Sequence, residues 1–313
     1  MKSTQLLFFF AFFNCVLVNA QTVSPALEVL STYSNVRDLT LSANGLEAYV
    51  SVQSPLSEVS VIVQLQKNNG VWSSPTLVSF SGNYNDLEPF LAPNGLRLYF
   101  ASNRPTSDTA TTPKDFDIWY VERSETTKPW GEPINLGAPV NSSYNEFYPA
   151  ISQHYNLYFT SDRTGSKGKD DIFYSAFEKN NYMEPVSLSD SINSAGYEFN
   201  AFVSPNESYL IFTGYNRTDG LGSGDLYISF KGENQTWSKA VSLGENINSK
   251  YMDYCPFVDE QASTLYFTSK RSTFNDSYQF KTIEDVLQEI NKSENGQSRI
   301  YQVPFNPSDY LKH

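Results

Sequence analysis

Four acidic residues recur at equivalent places along this sequence, and acidic residues held close together can bind a cation. Each lies three residues before a similar apolar stretch, at Asp86, Glu146, Glu198 and Asp253. Neighbouring carboxylates raise one another's pKa or recruit a positive ion, so a ring of them would be a ligand site. Alternatively, each acid fastens its own part of the fold by accepting hydrogen bonds from backbone N–H groups or a nearby arginine. The sequence leaves both interpretations open, and Val36 occupies the matching position nearest the N-terminus.

A second polar pattern contains aspartates and arginines that recur together. Their recurrence predicts a repeated structural corner built on a salt bridge or hydrogen bond. Two glycine-rich turns, 165–171 and 220–225, could instead bind calcium through carboxylate and carbonyl oxygens. We therefore expect no metal or other cofactor, with calcium as the alternative. The residues of the corner are Asp117, Asp171, Asp225, Arg104, Arg163 and Arg271.

Motifs for catalysis are scarce. The two histidines, His154 and His313, and the single cysteine beyond residue 20, Cys255, exclude a multi-histidine metal site and a disulfide framework. There is no Gly-x-Ser-x-Gly motif. A glycosidase needs two carboxylates beside its substrate, but acids at repeating positions favour a structural role. We assign no catalytic residue and expect a protein that is not an enzyme.

The composition limits where the protein acts. The net charge is −12 at pH 7. Binding to nucleic acids or anionic membranes needs clustered lysine and arginine, so the charge argues against both as partners. Residues 1–20 have a basic start, an apolar run and small residues at the end, which predicts a secretory signal peptide. No later apolar run is long enough for a spanning helix. We expect a single domain over residues 21–313 that is secreted and monomeric.

The polar residues belong to a repeat, and the repeat predicts the elements that position them. Similar segments begin near residues 39, 89, 149, 201 and 256, each with two apolar runs around a turn, which is Asn-Gly in the first two. Asn-Gly between apolar runs is a hairpin signal. A third strand follows at Asp117, Asp171 and Asp225, and a fourth is predicted around Trp72, Trp130, Tyr182 and Trp237.

Four strands in each unit of 50 to 60 residues predict an all-β fold, a β-propeller. The units lie near 36–86, 87–146, 147–198, 199–253 and 254–305, which gives five blades, with six as the alternative. The last unit has three strands, so we expect residues 26–30 to supply its fourth and close the ring. The spacing of apolar residues predicts a short helical insertion over 282–291.

The repeat resembles the TolB-type WD40-like β-propeller family. The resemblance rests on Pro-x-x-Ser-x-Asn-Gly-x-x-Leu-Tyr-Phe, then Ser-x-Arg and Asp-Ile-aromatic-Tyr, and it covers about residues 36–303. It implies a binding or scaffolding module of the cell envelope, periplasmic or outer-envelope associated, with a protein or envelope component as partner. The alternative function is a glycan-active enzyme or a lectin on a five-bladed propeller.

Overall fold

The computed structural model describes residues 22–106, 114–275 and 277–311. These residues form five antiparallel four-stranded sheets, arranged as the blades of a β-propeller. The all-β fold and the count of five blades, rather than six, are confirmed. The predicted signal peptide, residues 1–20, lies outside the described residues.

The blades are numbered 1 to 5 in chain order of their inner strands. Each blade contains an inner, a second, a third and an outer strand, named by increasing distance from the axis. The inner strands are Asn35–Leu41, Asp86–Leu91, Glu146–Ile151, Tyr197–Val203 and Asp253–Asp259. The second strands are Glu47–Gln53, Arg97–Ser102, Leu157–Ser161, Tyr209–Tyr215 and Thr264–Ser269. The third strands are Ser60–Asn68, Asp117–Glu122, Asp171–Ser175, Gly224–Phe230 and Arg299–Pro304. The outer strands are Thr76–Leu77, Ile134–Asn135, Val186–Ser187, Val241–Ser242 and, for blade 5, Ser24–Pro25.

The inner strands of neighbouring blades contact one another in a complete ring that includes blades 5 and 1. The second strands carry most of the largest fully buried side chains, because both faces of a blade pack against other blades. Phe100, Phe159, Phe212 and Phe267, which the repeat places at matching positions, are at most 1% exposed. A sheet that alone could not bury both faces is thus stabilised by its neighbours.

The N-terminal segment closes the ring, but with a different strand from the one predicted. Ser24 pairs with Gln302 and Pro25 pairs with Tyr301, so the prediction of a strand over residues 26–30 is wrong. Leu27 has a left-handed backbone (φ 54°), which ends the extended segment, and Glu28–Leu30 forms a 3-10 turn. This turn buries Leu30 against the core.

The outer strands begin a few residues later than the aromatic residues predicted to form them. Three of those aromatic side chains, Trp130, Tyr182 and Trp237, contact a tyrosine of the preceding blade instead. Trp130 lies 6.1 Å from the ring of Tyr49 and donates to its hydroxyl at 2.9 Å. Trp237 lies 6.1 Å from the ring of Tyr158 in the same way. Two-residue strands give a weak sequence signal, so the aromatic residues beside them were the more visible feature.

Blade 5 carries a helical insertion between its second and third strands. The helix Ile283–Ile290 begins at Thr282, whose side chain forms a capping box with Asp285. None of its side chains is buried. No helix of the described chain is long and apolar enough to span a bilayer. The remaining short elements are the 3-10 turn Pro307–Tyr310 and the strands Val71–Trp72, Phe177–Glu178 and Asn181–Tyr182.

Candidate functional site

Every inner strand contains a β-bulge at the same place, and the bulge residue lies on the axis of the ring. The register of inner and second strands shifts there in all five blades. Each bulge residue has a positive φ, between 47° and 63°, which is uncommon for residues other than glycine. The five bulge residues are Asp38, Glu88, Tyr148, Asn200 and Cys255.

The backbone N–H groups of three bulge residues bind hydroxyl groups of the preceding blade. The backbone N–H of Glu88 donates to the hydroxyl of Ser51 at 2.9 Å, and that of Asn200 donates to the hydroxyl of Thr160 at 3.2 Å. Blade 2 has Ala101 where other blades have this hydroxyl. The N–H of Tyr148 therefore lacks a hydroxyl partner, and it donates to the Glu88 carboxylate instead, at 2.8 Å.

Two carboxylates of the bulge ring share one guanidinium. Arg37 donates from Nε to Asp38 at 2.7 Å and from Nη2 to Glu88 at 2.8 Å. The Asp38 side chain is fully buried and that of Glu88 is 5% exposed. Burial raises the pKa of Glu88 to about 7, against the opposing effect of Arg37. Burial also raises the pKa of the Cys255 thiol well above its usual range, so the thiol stays protonated at neutral pH.

The four acids of the repeating series do not form an open ring. Each is fully buried and accepts a hydrogen bond from an arginine of its own blade. The pairs are Asp86 with Arg104 (2.5 Å), Glu146 with Arg163 (2.8 Å), Glu198 with Arg217 (2.9 Å) and Asp253 with Arg271 (3.0 Å).

Each acid also holds the segment that enters its blade. Glu146 accepts from the backbone N–H and hydroxyl of Ser142, and Glu198 accepts likewise from Ser194. Burial raises the pKa of Glu146, and the hydrogen bonds from Ser142 and the contact with Arg163 oppose this effect. This geometry matches the structural interpretation of the series and leaves no free oxygen facing a shared ligand.

The third-strand aspartates have partners other than the repeating arginines. Asp117 binds Lys114 and Asn135, and Asp171 accepts from the backbone N–H of Lys167. The strand register explains the difference, since Ser102 lies between Asp86 on one side and Asp117 on the other. The arginines of the predicted corner pair instead with the inner-strand acids on the other side of the second strand. These are Arg104, Arg163 and Arg271. The predicted corner therefore consists of two separate networks.

The glycine-rich turns direct N–H groups at these aspartates. Leu221 and Gly222 both donate to Asp225 at 3.0 Å, and Lys167 and Gly168 donate to Asp171. A calcium loop would direct carbonyl oxygens at the same point. Within the described ranges, no group of three or more His, Cys, Asp or Glu residues is arranged to hold a metal ion.

One mouth of the channel contains an apolar pocket of about 170 Å³, called here the axial pocket. It lies at the ends of the inner strands, beyond the bulges. The ring of Phe257 contacts the rings of Phe90 and Phe202, and these three rings form its floor. Asp259 and Glu260 lie at its edge, and Ala43 is an exposed part of its lip.

Sequence reasoning missed the bulge ring. These residues lie two positions after the repeating acids, where five different residue types occur in an otherwise repeating pattern. That column of unlike residues was the available signal. Only the folded chain brings Asp38 and Glu88 to the same guanidinium, because they lie on different blades.

Comparisons with known proteins agree with the fold. No family model matches the chain, and no curated protein matches its sequence. A solved structure described as a glycoside hydrolase matches at 8% identity and a TM-score of 0.57, over 92% of this chain and 91% of its own. An alpha-L-arabinofuranosidase of Podospora anserina in complex with cellotriose matches at 11% identity and a TM-score of 0.51, over 92% and 96%.

A TolB from Acinetobacter baumannii is also similar, at 11% identity and a TM-score of 0.48. The match covers 87% of this chain and 54% of that one, so the chain spans about half the length of that TolB. At these identities the likeness concerns the fold alone.

Proposed function

We propose that this protein is a non-catalytic binding module that holds an apolar side chain of a protein partner in its axial pocket. The observation that carries the proposal is the aromatic floor of the pocket, formed by Phe90, Phe202 and Phe257. Apolar pockets with a few polar groups at the edge are the usual form of a recognition site. The acidic edge at Asp259 and Glu260 favours a partner with basic residues beside its apolar anchor.

The partner we propose is an envelope or extracellular protein, as in the TolB-like interpretation of the repeat. The support is the signal peptide that the sequence predicts over residues 1–20. The protein would act as a periplasmic or secreted monomer, with the propeller as a rigid support for the pocket.

Selection from a random displayed 12-residue peptide library tests the proposal with a defined probe. We expect the selected peptides to share an apolar anchor and basic neighbours. Replacing Ala43→Arg on the exposed lip should weaken their binding about tenfold or more, through steric block and repulsion of basic residues. Ser74→Arg, which makes the same charge change at an exposed site in blade 1 outside the pocket, should leave it unchanged. Peptides that bind both variants equally would contradict the proposal.

A glycan-active enzyme is the second candidate, and one observation favours it. Asp38 and Glu88 are acids that break the repeat, as a specialised site does. Their burial and their common partner Arg37 count against it, because catalytic carboxylates must reach a substrate. Hydrolysis of arabinan, xylan or sialoside substrates that Asp38→Asn and Glu88→Gln both abolish, with folding intact, would establish the enzyme and overturn the binding module.

A further inference from the structure

The opposite mouth of the channel contains a second pocket, between blades 1 and 5, called here the polar pocket. Its volume is about 280 Å³. It lies at the beginning of the inner strands, whereas the axial pocket lies at their ends, so the proposed partner site does not include it. The polar side chains that line it include Asn35, Arg37, Gln53, Tyr254, Lys270 and Gln297.

Arg37 is a fixed hydrogen-bond donor in the wall of the polar pocket. Its Nε and Nη2 atoms are bound to Asp38 and Glu88, and its guanidinium carbon lies 5.1 Å from the centre of the Tyr254 ring. Its Nη1 atom makes no hydrogen bond within the described chain, and the side chain is 17% exposed. Because Arg37 is already ordered, donation from Nη1 to a ligand costs little side-chain entropy.

Two further donors line the same pocket. Lys270 is exposed and forms no ion pair with any residue that the structure describes. The side-chain oxygen of Gln297 accepts from Asn295 and Arg299, which leaves its amide N–H groups to donate. No aspartate or glutamate is among the lining residues. The wall therefore presents hydrogen-bond donors and a positive charge.

The local charge balance decides which anion suits this wall. Asp38 and Glu88 lie behind Arg37. Asp38 offsets the charge of Arg37, and Glu88, whose pKa burial raises to about 7, is partly neutral at pH 7, so Lys270 supplies the positive charge of the wall. A dianion such as phosphate would be repelled by the two carboxylates more strongly than a monoanion. We propose that the polar pocket binds a carboxylate group of a small polar ligand, through hydrogen bonds from Arg37 and Gln297 and the charge of Lys270.

Such a carboxylate belongs either to a sugar acid or to the C-terminus of a peptide, and calorimetry of the full chain distinguishes them. The probes are D-glucuronate against D-glucose, and acetyl-trialanine against its C-terminal amide. Saturable binding of glucuronate without glucose identifies a sugar-acid site. Binding of the peptide acid without the amide identifies a chain terminus. If neither carboxylate binds, the proposal is wrong.

Variants in the wall of the polar pocket locate the binding. Lys270→Ala should weaken binding of the carboxylate probe about tenfold or more, and Gln297→Glu, which places an acid in the wall, should abolish it. Lys239→Ala removes the same charge at an exposed site outside the pocket and should leave binding unchanged. A melting curve for each variant reports whether it is folded. Equal affinity in the wild-type protein and both pocket variants would overturn the assignment.

Discussion

Each acid of the repeating series joins three parts of its blade. Glu146 holds the entering segment through Ser142 and the second strand through Arg163. The same arginine donates to the carbonyl of Val140 and lies 5.0 Å from the centre of the Phe159 ring. Removal of the carboxylate charge would leave a buried arginine without its counter-charge, which destabilises the folded state.

The first prediction concerns these acids. Glu146→Gln and Glu198→Gln should each lower the free energy of unfolding by roughly 1–3 kcal/mol, through loss of charge-assisted hydrogen bonds. Glu233→Gln, at an exposed site, should change it by less than about 0.5 kcal/mol. Calcium and chelator should leave thermal unfolding of the wild-type protein unchanged. A calcium-dependent rise in melting temperature that disappears in the double variant would make the acids a ligand site.

The second prediction concerns Glu88 as the partner of the Tyr148 N–H. Replacing Ala101→Ser should supply the hydroxyl that this blade lacks. The double variant Ala101→Ser, Glu88→Gln should then be more stable in denaturant unfolding than the sum of the two single changes predicts. Simple additivity would show that the carboxylate does not replace the hydroxyl.

The third prediction concerns pH. The pKa of Glu88 is about 7 in the folded protein and ordinary when unfolded, so the folded state retains a proton that the unfolded state releases. The stability that this group contributes is present below about pH 4.5 and is lost as the pH rises through 7. The unfolding free energy of the wild-type protein should therefore fall relative to Glu88→Gln, by no more than about 3 kcal/mol. A constant difference between pH 5 and pH 8 would contradict the raised pKa.

Only some of the acidic clusters and pockets described above could be predicted from the sequence. Asp86, Glu146, Glu198 and Asp253 were visible because they repeat. A nearby arginine was one of the partners expected for them, but the same arginines were also expected to pair with the third-strand aspartates, and strand register decides between the two. The polar pocket had no linear signal, because Arg37 and Lys270 lie at opposite ends of the described chain.

At the scale of elements, the second strands supply most of the largest fully buried side chains. The fourth prediction is that Phe159→Ala or Phe212→Ala lowers the free energy of unfolding by roughly 3–5 kcal/mol, through lost burial and a cavity between blades. Ile283→Ala in the exposed helix should have a small effect. Denaturant unfolding of the three variants measures the contrast. A loss below about 1 kcal/mol at both phenylalanines would mean that these strands do not form the core.

The sequence predicted the hairpins better than the outer strands. The inner and second strands are apolar runs on either side of a turn, with Asn-Gly in the first two blades, so they were clear from local pattern. The outer strands contain two residues each, which is too short for any periodic signal. The closing strand Ser24–Pro25 was displaced by two residues from its predicted place, because nothing local indicated the left-handed backbone at Leu27.

At the scale of the whole molecule, the ring depends on the pairing of its two ends. The fifth prediction is that deletion of residues 22–26 exposes the edge of the third strand of blade 5. We expect a large fall in melting temperature or association through the open edge. Deletion of the same number of residues at 277–281, in the blade 5 insertion before the helix cap Thr282, is the control. An unchanged melting curve and a monomeric deletion variant would show that the ring closes without this strand.

The pairing of Ser24–Pro25 with the last strand also sets the order in which the molecule can be assembled. A chain leaving the ribosome or an export channel can form blades 1 to 4 in turn. Blade 5 must wait for residues 299–304 and then recover its outer strand from the opposite end of the described chain. Until that moment the seam between blades 5 and 1 is open, and the polar pocket is incomplete because its walls come from both blades. A ligand of this pocket would therefore recognise only finished molecules, and its binding would distinguish completed rings from four-bladed intermediates.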